Sequence, residues 1–194
     1  MDQNVDAFDN YRIPFVASLD PYQIVSDNEY RDYDYDLDSH GVVYLSIDPS
    51  INEISYEVFL EGMSYLEGDD VEIIQIHLGM EGENGPTVLS FCNEKKGKGH
   101  CREGPGLSSE GYLNEKDLKG PLKGSSLNEL IELIESGETY VYVSSRDHPE
   151  GELRGQIQPD WLFILYQNNL LINYSFSIYL IYKVVTVNRF WKGL

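Results

Sequence analysis

The sequence predicts a mostly β domain, an antiparallel β-sandwich with one short helix near residues 127–136. Three observations predict it. Short runs of apolar and polar residues alternate with period two, as half-buried strands do. Turn residues separate these runs at near-regular spacing, the pattern of a sandwich or barrel. Only one stretch, after Ser126, has its apolar residues at helical spacing.

The elements follow in order. Residues 15–19 (Phe-Val-Ala-Ser-Leu) are a short apolar strand. The Asp- and Tyr-rich stretch 27–39 reads as a long acidic loop or edge hairpin. Residues 42–47 alternate and stop at Asp48-Pro49, a turn signal. Residues 54–60 and 71–78 alternate again, with a turn region between them. In the second run Val71, Ile73 and Gln75 point one way, and Glu72, Ile74 and Ile76 the other. Residues 81–86 (Glu-Gly-Glu-Asn-Gly-Pro) make a tight turn in which Asn84-Gly85 signals positive φ. Residues 87–92 form the next strand. Ser126 and Glu129 have capping-box spacing, Leu127, Leu130, Ile131 and Ile134 share one helical face, and Gly137 is the C′ stop. Residues 139–143 (Thr-Tyr-Val-Tyr-Val) favour a strand. A turn over 147–151 leads to the last strand, 152–157.

The chain has 194 residues, 41% hydrophobic and 12% aromatic with 15 tyrosines, enough for one folded core. The expected organisation is an N-terminal tail over 1–12, the domain over 13–158, and a hydrophobic tail over 159–194. The net charge is −19 and unevenly spread. Only Arg12 and Arg31 are basic before Lys95, and seven of the 14 Lys and Arg lie from Lys95 to Lys123. One face or end is therefore anionic and one loop region locally basic. This balance opposes nucleic acid and anionic membranes, which need clustered cations. It suits solvation, a cation, or a partner with a basic surface.

Cys92 and Cys101 flank a polar, glycine-bearing loop. They are a disulfide candidate in an oxidising compartment and two free thiols otherwise. Only His100 lies near them, too few ligands for zinc. Residues 1–9 have no basic n-region and no apolar h-region, hence no secretory signal is visible. Either the protein stays inside the cell or its leader lies outside this sequence. From Trp161 the composition turns to Leu, Ile, Tyr and Asn. The tail is long enough for a membrane span, but Gln167, Asn168, Asn169 and Asn173 would be costly in lipid. A membrane helix, an added hydrophobic element and a segment foreign to the fold all remain open.

Three stretches carry a resemblance. They are Phe15-Val-Ala-Ser-Leu19, then Ile76-His-Leu-Gly-Met-Glu-Gly-Glu-Asn-Gly-Pro86, then Gly137-Glu-Thr-Tyr-Val-Tyr-Val143 with His148-Pro-Glu-Gly-Glu-Leu-Arg-Gly-Gln156. Together they resemble the CHRD domain, the module repeated in chordin. The matching positions are His77, Gly79, Asn84, Gly85, Pro86, Gly151, Glu152, Arg154, Gly155 and Gln156. The resemblance implies a sandwich fold, an extracellular or cell-surface setting, and protein ligands. Three positions depart from the family pattern. Gln75 stands where the first His of His-Ile-His is expected, Ser144-Ser145 replaces His-Thr, and Tyr142 replaces Asn. A metal site built on those histidines would keep one imidazole of three.

Chemistry is otherwise sparse. Glu152 and Arg154 lie two apart on a strand, on one face, and could pair with each other or with cross-strand partners as a structural ion pair, or contact a ligand. His77 reads as a half-buried, hydrogen-bonded strand residue. Ser144, Ser145 and His77 lack any nucleophile-elbow motif, and there is no phosphate loop or dinucleotide fingerprint. Asp32, Asp34, Asp36 and Asp38 alternate, but Leu37 and Val43 occupy the positions where an EF-hand needs Gly and Glu. A calcium site there competes with a solvated acidic loop that protects an edge strand. The sequence thus predicts a non-enzymatic binding module without cofactor or metal, with a metal-binding or metal-dependent enzyme on the same sandwich as the alternative.

Overall fold

The computed structural model describes residues 12–25, 39–63, 71–93, 107–145 and 148–161. Among these residues nine strands form two antiparallel sheets: β1 (Ile13–Leu19), β2 (His40–Asp48), β3 (Glu53–Glu61), β4 (Val71–Leu78), β5 (Thr87–Asn93), β6 (Leu107–Leu113), β7 (Thr139–Ser145), β8 (Leu153–Gln156) and β9 (Gln158–Pro159). One sheet has the order β6-β3-β2-β1-β9, the other β5-β4-β7-β8. The mostly β sandwich with a single helix is thus what the sequence predicts. Pro159 closes the compact unit that holds both sheets.

Period-two alternation builds the core. Phe15, Ala17 and Leu19 of β1, Val43, Leu45 and Ile47 of β2, and Ile54, Tyr56, Val58 and Leu60 of β3 face inward. They meet Ile74, Ile76, Leu89, Val141, Val143 and Leu153 of the other sheet. Each fully buried aliphatic side chain contributes about 1.5–3 kcal/mol. Helix α1 (Leu127–Glu135) buries Leu127, Leu130, Ile131 and Ile134 on the same core.

The helix stops as its glycine demands. Gly137 adopts φ 77°, its N–H donates to Ile134 O at 3.0 Å, and Glu138 N–H donates to Leu133 O at 2.9 Å, a Schellman closure. Its start differs from expectation. Ser126 is the N-cap residue, but its side chain makes no capping bond. A capping box forms instead at Asn114, where Asp117 Oδ2 accepts Asn114 N–H in a 3-10 turn, Glu115–Asp117.

Two further expectations are corrected. The sequence reading leaves residues 95–123 without a strand, yet β6 lies there as the edge of the larger sheet, paired with β3. Its residues from Ser109 to Leu113 are half-buried or exposed, so no apolar alternation announces it. The β4–β5 connection turns on Gly82 (φ 82°), with Glu83 N–H donating to Met80 O at 3.0 Å, and not on Asn84-Gly85. In β4 the expected alternation holds: Ile74 and Ile76 are buried, while Ile73, Gln75 and His77 look outward, half-buried. The acidic loop with Asp32, Asp34, Asp36 and Asp38, Cys101 with the loop before it, and the tail beyond Trp161 lie outside the described residues. No helix among the described residues is long and apolar enough to cross a membrane.

Candidate functional site

The three stretches of the sequence motif meet at one corner of the sandwich. There the end of β1 touches β8: Asp20 N–H donates to Arg154 O at 3.0 Å, and Arg154 N–H to Asp20 O at 3.2 Å. The strands pass so closely that a Cβ on Gly155 would collide with the Ser18 carbonyl. Gly85 serves the same purpose in the β4–β5 connection, where a Cβ would run into the Leu78 carbonyl. Leu78 N–H donates to Pro86 O at 3.0 Å, which pins the base of that connection.

Arg154 fastens the corner. It is 2% exposed. Its Nη1 donates to Gln23 O at 3.2 Å, and its Nη2 to Met80 O and Glu83 O, both at 2.9 Å. The guanidinium lies 3.9 Å from the centroid of the Tyr140 ring, a cation–π contact. Its buried Nε has no partner among the described residues. Burial lowers the Arg154 pKa from its ordinary value, against the opposing pull of Tyr140 and Glu81.

The expected ion pair is absent. No salt bridge joins Glu152 to Arg154. Glu152 Oε1 accepts from Ser39 Oγ at 3.3 Å, and Ser39 also donates to Gly62 O. Backbone carbonyls from two separate segments, the turn after β1 and the β4–β5 connection, take the guanidinium in place of a carboxylate.

The neighbouring motif residues bind main chain as well. Gln156 Nε2 donates to Gly79 O at 2.9 Å and to Gly137 O at 2.6 Å. Gly79 N–H donates to Glu138 O, Asn84 Nδ2 to Val25 O at 3.0 Å, and Gly151 N–H to His148 O. Gly85 N–H donates to the Tyr140 hydroxyl at 3.2 Å.

His77 stands beside this fastener, as a half-buried strand residue. The Gly85 carbonyl, 2.9 Å from Nδ1, can only accept, so Nδ1 carries the proton. Nε2 lies 3.2 Å from Thr87 Oγ1 and 3.1 Å from Gln75 Oε1, and the Thr87 hydroxyl donates to Gln75 Oε1 at 3.1 Å. The polar chain continues through Gln75 Nε2 to Ser90 Oγ, which also accepts from Lys119 Nζ at 2.9 Å. Register shifts in the β4–β5 pairing on either side of Gln75 and Ile76 help bring these side chains together. The imidazole stacks on Tyr140 at 5.3 Å and tilts against Tyr142 at 5.1 Å. Burial holds the His77 pKa below its ordinary value, opposed by the Gly85 bond and assisted by the Arg154 charge. Burial likewise pushes the Tyr142 phenol up to about 12, with Tyr140 and Glu150 adding to it.

A cleft of about 170 Å³ opens between His77, Tyr140, Tyr142 and Arg154. That holds a handful of waters and falls below the ~300 Å³ at which small-molecule pockets begin. A transition metal does not fit the residues present. Gln75 pairs with Tyr142 and Ser144 with Ile73 across the β4–β7 ladder. Gln75 is a weak donor already bonded, Ser144 is buried, and only Nε2 of one imidazole remains. Nor does a serine nucleophile find its base, since His77 lies opposite Tyr140, well along β7 from Ser144.

Sequence reasoning missed Tyr140, the ring on which Arg154 and His77 both rest, and Gln23, whose Oε1 accepts from Gln156 N–H at 3.3 Å. Pairing β4 with β7 in register would have brought Tyr140 opposite His77. Nothing in the sequence marks Gln23. The CHRD domain family model matches residues 15–157. No curated protein and no solved structure matches the chain.

Proposed function

The chain belongs to the CHRD domain family, and from that premise we propose that it is a non-enzymatic, extracellular or cell-surface protein-binding module. The observation that carries this reading is the use made of the motif side chains. His77, Asn84, Arg154 and Gln156 all bind backbone carbonyls and hold the corner of the sandwich shut. The motif is a fold fastener, which leaves function to the surface. That surface carries most of a net charge of −19, and the partner it favours is a protein with a basic surface. The family membership supports the extracellular setting. The alternative, metal-dependent chemistry on the same fold, lacks the donor set described above.

The test is association of the purified full chain with basic extracellular proteins, followed as ionic strength rises from about 50 to about 300 mM. Affinity is expected to fall steeply with salt. Salt-independent association would refute the electrostatic reading. A stoichiometric transition metal in the purified protein would restore the alternative.

A further inference from the structure

The outward face of the β6-β3-β2-β1 sheet breaks a rule of sheet stability. Glu57 of β3 lies directly opposite Glu110 of β6, and both are exposed. Like charges in directly opposed cross-strand positions destabilise a sheet. Of the other acids of β3 on this face, Glu53 pairs with Arg12 at 3.1 Å and the Glu61 carboxylate lies 3.4 Å from His40 Nε2. Glu57 and Glu110 have no cation partner among the described residues.

Aromatic rings surround this pair. Tyr44 lies opposite Glu57 on the β2 side, in the same cross-strand row. Phe59 sits two residues along β3 and meets Tyr44 edge to face at 6.4 Å. Tyr112 sits two residues along β6. Tyr44, Phe59 and Tyr112 are 44%, 41% and 73% exposed, large rings left in water on a sheet whose other face is the core. Val16 of β1 extends the row beyond Tyr44. The face thus offers, between rings, two carboxylates that no described residue compensates.

We propose that this face is the docking surface of the module and that its occupant is an arginine- or lysine-bearing segment of a partner protein. A guanidinium matches two carboxylates by paired hydrogen bonds and stacks on tyrosine or phenylalanine rings. Aromatic residues and arginine are the types enriched at protein interfaces. A local rule broken without compensation among the described residues is expected where a ligand supplies it. A second copy of this chain is the wrong occupant, because it would bring Glu57 and Glu110 against themselves.

This inference rests on the binding-module reading and names its surface. The probe is a fluorescent peptide alternating arginine and threonine, with a glutamate–threonine peptide as its counterpart. Two variants of the full chain remove equal charge: Glu57→Gln with Glu110→Gln on the face, and Glu132→Gln with Glu135→Gln on the exposed side of α1. Removing the face pair is expected to weaken the arginine peptide about tenfold, against less than about twofold for the helix pair. The face variant relieves repulsion, so its melting temperature should not fall. Tyr44→Ser should weaken the peptide while leaving net charge unchanged. Equal losses from the two charge variants would overturn the face while leaving the acidic binding reading intact. No binding of the peptide, alongside salt-sensitive capture of basic proteins, would do the same. Absence of both would remove the two together. Dimerisation of the chain abolished by Tyr44→Ser would identify a second copy as the occupant and overturn the proposal.

Discussion

Replacing Arg154 with methionine keeps the length and apolar stem of the side chain and removes its donors. The structure sets the loss. Nη1 gives up its bond to Gln23 O, and Nη2 its shared bond to Met80 O and Glu83 O. Hydrogen bonds from a charged donor contribute about 1.5–3 kcal/mol each. The lower end applies, because Met80 and Glu83 are exposed and water can replace part of what is lost. The contact with the Tyr140 ring adds about 1 kcal/mol. Part of this is returned, because a buried charge no longer has to be desolvated. The net expectation is a loss of about 3 kcal/mol, or about 6–12 °C for a domain of this size. Urea unfolding followed by far-UV circular dichroism measures it. A loss below about 1 kcal/mol would show that the carbonyl cluster is not what holds the corner. A double-mutant cycle with Glu152→Gln sharpens the test. Carbonyl binding predicts coupling below about 0.5 kcal/mol, whereas an ion pair predicts several times that.

Three further outcomes follow from the geometry. Gly85→Ala forces a Cβ into the Leu78 carbonyl, a backbone atom that cannot swing away, and should cost more than about 3 kcal/mol. Gly82→Ala, at φ 82° with open space around it, should cost only about 1 kcal/mol by the same denaturation assay. His77 is held below its ordinary pKa of 6.5, so the unfolded chain takes up the proton first. Its contribution to stability is therefore complete above the ordinary value and lost as pH falls toward the folded one. Urea midpoints for the protein should drop between about pH 7.5 and 5, and His77→Gln should flatten that part of the slope. Asn114→Ala removes a real cap and should cost about 1 kcal/mol, while Ser126→Ala, whose hydroxyl makes no capping bond, should be within about 0.5 kcal/mol of neutral in thermal melts.

Local pattern was legible wherever burial repeats with the period of the element. Strands 54–60 and 71–78 declared themselves because one face is apolar and the other is not, and α1 because Leu127, Leu130, Ile131 and Ile134 share one stripe. Strand β6 did not, because its register is fixed by backbone bonds to β3 and not by a buried face of its own. The motif residues were legible as a group, yet their roles were not. Arg154 and Glu152 lie two apart in sequence, which suggested ion pairing with each other or across the strands. The partners that win, Gln23, Met80 and Glu83, are far away in sequence and contribute main-chain oxygens that every residue has.

The sequence by itself determined the two alternations that make a sandwich, the single amphipathic helix with its glycine stop, and the acidic character of the surface. These are properties of neighbouring residues and of composition. Only the tertiary structure decided that Arg154 clamps carbonyls over Tyr140 and that His77 spends its Nδ1 proton on Gly85. It also decided that Glu57 faces Glu110 with no cation partner among the described residues. Each of those depends on which strand lies beside which and in what register, and that is set by how two sheets close on one core.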